Sequence, residues 1–154
     1  MQLLDETPVL RVYYDEQQQW LYAQWHGDLT QTAVRQGCDL LLAYQQVGTT
    51  TKLLNDNSHI EQPWPEGIVW GARVWLPVMV QAGLRHIAWV YSTHLISRLL
   101  FDRSQPDVCR PIAAAFDDVA QAVEWLQQQQ HCPLVLTADT QQLAKRRFWH
   151  RLRE

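Results

Sequence analysis

Charge is scarce in this sequence. Asp, Glu, Lys and Arg make up 19% of the 154 residues, below the roughly 25% usual for a soluble domain. Thirteen basic and sixteen acidic side chains leave a net charge of −3, too mild for a strongly basic nucleic-acid binder or an acidic disordered tail. Glycine is also sparse. The six glycines form neither a Gly-x-Gly-x-x-Gly turn nor a Walker run, so no phosphate cradle and no nucleotide cofactor is expected. The three cysteines, Cys38, Cys109 and Cys132, are odd in number and widely spaced. That excludes a disulfide framework and suits a reducing, cytoplasmic setting. Structural zinc needs four convergent ligands; His86, His94 and the neighbours His131 and Cys132 lack that spacing, so no metal is expected. The longest apolar run, residues 68–80, contains Arg73 and Pro77 and falls short of the about 18 residues of a membrane span. The first ten residues include Asp5, Glu6 and Pro8, unlike a signal peptide.

Apolar residues, by contrast, are plentiful at 47%, with eight tryptophans and nineteen glutamines. Tryptophan buries a large area and also needs a partner for its indole N–H. The charge is unevenly distributed. Residues 1–144 carry 8 basic and 15 acidic groups, net −7, and residues 145–154 carry 5 and 1, net +4. Such a basic tail is expected to dock on the acidic body or on a second subunit rather than on a membrane.

Along the chain, residues 9–15 and 20–25 read as an antiparallel hairpin joined by Glu16 and three glutamines. Asp28 is placed to cap a helix through Val34, Cys38, Leu41 and Tyr44, with Gly48 as its stop. Residues 52–56 read as a short strand, followed by a polar loop. Pro65 suits the first position of a helix with the apolar stripe Ile68, Ala72, Leu76 and Met79 ending at Gly83. Trp70, Val74 and Trp75 extend its apolar surface, so cover on more than one side is expected. Pro77 should kink it. Residues 86–91 are nearly continuously apolar, as in a central parallel strand. Ser92 or Thr93 can cap a short helix through Leu95, Ile96, Leu99 and Leu100. Residues 111–116 form another strand, and Asp117 or Asp118 caps a helix through Val119, Val123 and Leu126. The alternation predicts an α/β fold, a mainly parallel sheet with an N-terminal hairpin and packed helices. The division expected is one domain over residues 1–130 and an extension, residues 131–154, bearing a basic amphipathic helix.

The run Leu54, Asn55, Asp56, Asn57 and Ser58, followed by Trp70, Trp75, Pro77, Ala82, Gly83, Ala88 and Val90, resembles bacterial proteins of the STAS group, those similar to the anti-sigma-factor antagonist SpoIIAA. The resemblance covers residues 9–130. It implies a sheet packed against helices, and regulation through a protein partner rather than catalysis. It also makes Ser58 a candidate phosphosite, although Asn57 separates it from Asp56 and the helix begins later than in that group.

The surface expected to work is the segment 55–64 at the carboxyl end of a parallel strand, where open α/β sheets place ligands. Asn55, Asp56, Ser58 and His59 would supply polar contacts and Trp64 an apolar one. Turn chemistry alone accounts for the Asn, Asp and Ser side chains and is the plainer reading of them. A hydrolase using Ser58 and His59 is a weaker alternative, because no Gly-x-Ser-x-Gly elbow is present. The main rival to a protein-binding module is a carrier of a small apolar, lipid-like ligand in a CRAL-TRIO-like cavity lined by Trp70, Trp75 and Trp89. Trp20 and Trp25 lie an odd number of steps apart on one strand and so face opposite sides of the sheet. One of them then needs cover from elsewhere, for which a homodimer is a source.

Overall fold

The computed structural model describes residues 1–47, 50–94 and 112–129. Six strands lie side by side in the order in which the chain makes them. Strands β1 (Gln2–Glu6), β2 (Leu10–Asp15) and β3 (Trp20–Asp28) pair antiparallel. β3, β4 (Lys52–Gln62), β5 (His86–Val90) and β6 (Ile112–Phe116) then pair parallel. The described residues thus form an α/β domain built on one mixed sheet.

Helix α1 (Gln31–Val47) joins β3 to β4. The second crossover is a composite: α2 (Pro65–Trp70), a π turn (Gly71–Trp75) and α3 (Leu76–Gln81). Both crossovers pack on the same sheet face, as same-handed connections between strands laid down in order require. There Val34, Cys38 and Leu41 of α1 and Trp75, Leu76 and Met79 of the second crossover meet Leu10, Val12, Leu53 and Ile87 of the sheet. Helix α4 (Val119–Gln128) covers the opposite face, where Ala122 and Leu126 meet Trp20, Tyr22, Leu54, Ala88 and Val90. Each fully buried leucine or valine in these layers stabilises the fold by about 1.5–3 kcal/mol. Both faces of β5 are therefore covered, which explains the nearly continuous apolar run over residues 86–90.

Several local expectations hold. Pro65 opens α2, Gly83 follows α3 with φ 108°, and the Asp118 carboxylate accepts the Gln121 N–H at 2.9 Å to cap α4. Others are corrected. Asp28 belongs to β3, and Thr30 caps α1 by accepting the Ala33 N–H at 3.2 Å. Strand β1 was not evident in the sequence, because an edge strand with mostly exposed side chains carries little apolar alternation. The segment expected as a loop after residue 56 continues β4 to Gln62, because β3 is long enough to pair with it as far as Asp28. The register between them shifts between Gln24 and His26, where β4 holds an extra residue as a bulge.

Pro77 does not simply kink a helix. The turn before it widens, so that the Leu76 N–H reaches the Gly71 carbonyl, five residues back. Val74 and Val78 of this crossover remain exposed. Trp20 and Trp25 do face opposite sides, and both are buried by the chain itself, Trp20 with α4 and Trp25 with α1. Neither needs a second subunit for cover. Among the described residues no helix is long and apolar enough to cross a membrane. The expected Gly48 stop, the helix through residues 95–100 and the whole 131–154 extension with its basic helix lie outside the described residues.

Candidate functional site

The carboxyl ends of the parallel strands are uneven. β5 pairs with β4 only as far as Asp56 and Val90, while β4 runs on to Gln62. A crevice opens beyond the end of β5, at the position where open parallel sheets take ligands. The crevice holds a pocket of about 70 Å3, floored by Asn55, Asn57 and Ile60 of β4. Trp25 closes it on the β3 side, and Trp89 and Tyr91 on the β5 side. Val34 and Cys38 of α1 and Trp64, Ile68 and Trp75 of the second crossover form the walls. Among the described residues, none that lines it carries a formal charge.

Each tryptophan is positioned by a separate device. Trp25 is 5% exposed, and its indole N–H donates to Asn55 Oδ1 at 3.0 Å. Trp75, in the π turn, donates to the Cys38 carbonyl of α1 at 3.1 Å, which ties the crossover to its neighbour. Trp64 occupies the N-cap position of α2 and packs against Gly67, where a Cβ would run into its Cε3. A ring at 6.4 Å, that of Trp70, supports it from behind, and the Arg35 guanidinium lies 5.4 Å from the Trp70 ring. The π turn contributes Gly71 to the pocket edge. A widened turn beside a ligand crevice is a recurrent functional placement.

The polar floor is unusual for so dry a place. Asn55 is 1% exposed, and its Nδ2 has no hydrogen-bond partner among the described residues. Asn57 Nδ2 donates to the Val90 carbonyl at 2.9 Å, which satisfies the frayed end of β5. Burial pushes the Cys38 thiol well up from its ordinary value, and Asp39 adds to the shift. Cys38 therefore serves the pocket as an apolar, protonated wall.

The expected site residues divide into three groups. Asn55 and Trp64 meet at the pocket. Asp56 and Ser58 instead belong to a network with Tyr22, which packs on the α4 side of the sheet. The fully buried Asp56 carboxylate accepts Tyr22 Oη–H at 2.8 Å, Ser58 Oγ–H at 2.6 Å and the Ser58 N–H at 2.9 Å. Burial first, then the bond to Asp56, raises the Tyr22 phenol and keeps it a donor. His59 is exposed and lines neither group. Ser58 gives its proton to Asp56 rather than to His59, so a Ser–His pair is not assembled. Of the tryptophans expected around a cavity, Trp75 and Trp89 line it and Trp70 stands behind Trp64. Trp25 and Asn57 complete it. Neither was legible beforehand, because their placement depends on the pairing register of β3 with β4.

Comparison of the chain with protein-family models, with curated proteins and with solved structures found no match.

Proposed function

We propose that this chain is a non-enzymatic binding module whose occupant is a small, largely apolar molecule held in the tryptophan-lined pocket. The observation that carries the reading is the pocket itself: four indoles and a buried, half-satisfied asparagine converge at the carboxyl end of a parallel sheet. Ligand sites are typically concave, mainly apolar and provided with a few placed polar groups. At about 70 Å3 the space suits a ring or a short chain rather than a long acyl tail. A STAS-like descent belongs to the same proposal. It is supported by the consecutive α/β steps and by the run Asn55, Asp56, Asn57 and Ser58, and it favours regulation, in which ligand occupancy would be read by a protein partner. A cytoplasmic setting fits a pocket wall that includes the buried free thiol of Cys38.

Native mass spectrometry of the protein isolated from its own host tests this function. A mass excess that disappears on denaturation, and that is absent from the pocket-filling variant Gly71→Leu, is expected. Gly71 lies at the pocket edge and a Cβ there meets nothing within 4 Å, so the substitution starts from open space. An unliganded mass for both proteins would count against the reading.

A further inference from the structure

Asn55 has only one of its two polar ends in use. The orientation of its amide is settled by its neighbour, because the Trp25 indole nitrogen is a donor with no acceptor capacity and therefore faces Oδ1, at 3.0 Å. The NH2 group of this residue, which lines the pocket and is 1% exposed, is left with no partner among the described residues. An unmet buried donor is costly. A ligand that places an acceptor there removes the penalty, which an acceptor in bulk water cannot do for it.

The character of the acceptor follows from the rest of the lining. Among the described residues none that lines the pocket is cationic, so against that lining a carboxylate or phosphate would be stripped of water with no counter-charge, at a cost of several kcal/mol. A neutral acceptor escapes that. The walls are the flat faces and edges of Trp25, Trp64, Trp75 and Trp89, which favour another aromatic ring through offset and edge contacts. We infer that the pocket selects a neutral, flat aromatic molecule bearing a carbonyl, whose oxygen accepts the free N–H of Asn55. This rests on the pocket being a ligand site, as proposed above, and narrows the class of ligand.

The test is a titration of the 15N-labelled full chain with acetophenone and with α-methylstyrene, which share ring and outline and differ in C=O against C=CH2. Acetophenone is expected to bind about tenfold more tightly, the size of one well-made hydrogen bond. It should move the Asn55 side-chain NH2 resonances as well as the indole N–H of Trp25. In Asn55→Leu, which removes the donor, acetophenone should bind no better than the hydrocarbon. If that variant does not fold, the comparison on the wild-type chain decides alone. Equal or tighter binding of α-methylstyrene to the wild type, with shifts at the pocket indoles, would overturn the carbonyl assignment and leave the pocket standing as a ligand site. Shifts from neither compound at those indoles would remove both.

Discussion

Trp25 and Asn55, neighbours across the parallel β3–β4 ladder, are joined by a hydrogen bond of 3.0 Å from the indole to the amide oxygen, and both are buried. This bond links the fold to the site. It holds one wall of the pocket and leaves the other end of the amide without a partner among the described residues. Removing one partner orphans the other in a dry place, at about 1–3 kcal/mol. Asn55→Leu and Trp25→Phe should each cost at least that in urea denaturation, the latter with an added cavity term. The double variant should cost less than the sum of the two. Strict additivity would mean that the bond contributes nothing.

Gly37 and Gly67 make contrasting predictions. Alanine inside a helix normally gains about 1 kcal/mol over glycine. At Gly37 a Cβ would lie 2.6 Å from the Trp25 ring and 3.0 Å from Leu10, and Trp25 is pinned by its bond to Asn55. Gly37→Ala is expected to destabilise by about 1–3 kcal/mol, the usual cost of overpacking, and thermal unfolding will show the sign.

At Gly67 the obstructing ring is that of Trp64, which is half-buried and for which no side-chain capping bond exists. Gly67→Ala should displace the ring rather than unfold the helix. The expected outcome is loss of the near-ultraviolet dichroism of the Trp64–Trp70 pair. In a Trp64→Ala background the same Gly67→Ala change should become stabilising by a few tenths of a kcal/mol up to about 1. Destabilisation in both backgrounds would contradict the contact.

The alternation of strands and helices was legible because its signals are local. Pro65 and Asp118 sit at helix starts, Gly83 at a stop, and residues 86–90 are apolar on both faces because helices cover both. The second half of β4 was not legible. Asn55, Asp56, Asn57 and Ser58 are poor strand formers by propensity, and they adopt the strand only because tertiary partners exist for their polar groups: Trp25, Tyr22 and the Val90 carbonyl. The same fact explains why the structure brings only some of the expected site residues together. Strand alternation sends Asn55 and Asp56 to opposite faces of the sheet, so the two cannot share one surface with Ser58. The pocket then takes Asn55, and Asp56 keeps Ser58.

Ser58 yields a prediction of its own. Its hydroxyl is bound at 2.6 Å to a carboxylate with no exposure, so a second negative group there would be repelled and poorly solvated. Ser58→Asp is expected to lose several kcal/mol in urea denaturation, against about 1 kcal/mol for Ser58→Ala. A phosphoswitch at this position would have to act by breaking the Tyr22–Asp56–Ser58 network. If Ser58→Asp is as stable as the wild type, that objection is removed.

The last prediction concerns pH and the other end of the parallel strands. The Lys52 ammonium is 2% exposed and donates to the Leu126 carbonyl at 2.8 Å, near the end of α4, where a cation is favoured. Its neighbour His86, packed edge-on against Trp125, is held below its ordinary value near 6.5 by burial first and by Lys52 second. The unfolded chain therefore binds a proton at this histidine at a higher pH than the folded chain does. Between the two values the unfolded state carries more protons, so stability rises with pH there and falls as pH is lowered below about 6.5. Replacing the imidazole in His86→Phe removes that proton uptake. The difference in stability between wild type and variant, followed by urea denaturation from pH 8 to pH 5, should be flat above about pH 7 and shift in favour of the variant as the pH falls. A difference that stays constant through the whole range would show that His86 titrates alike in both states, and that neither its burial nor Lys52 bears on its charge.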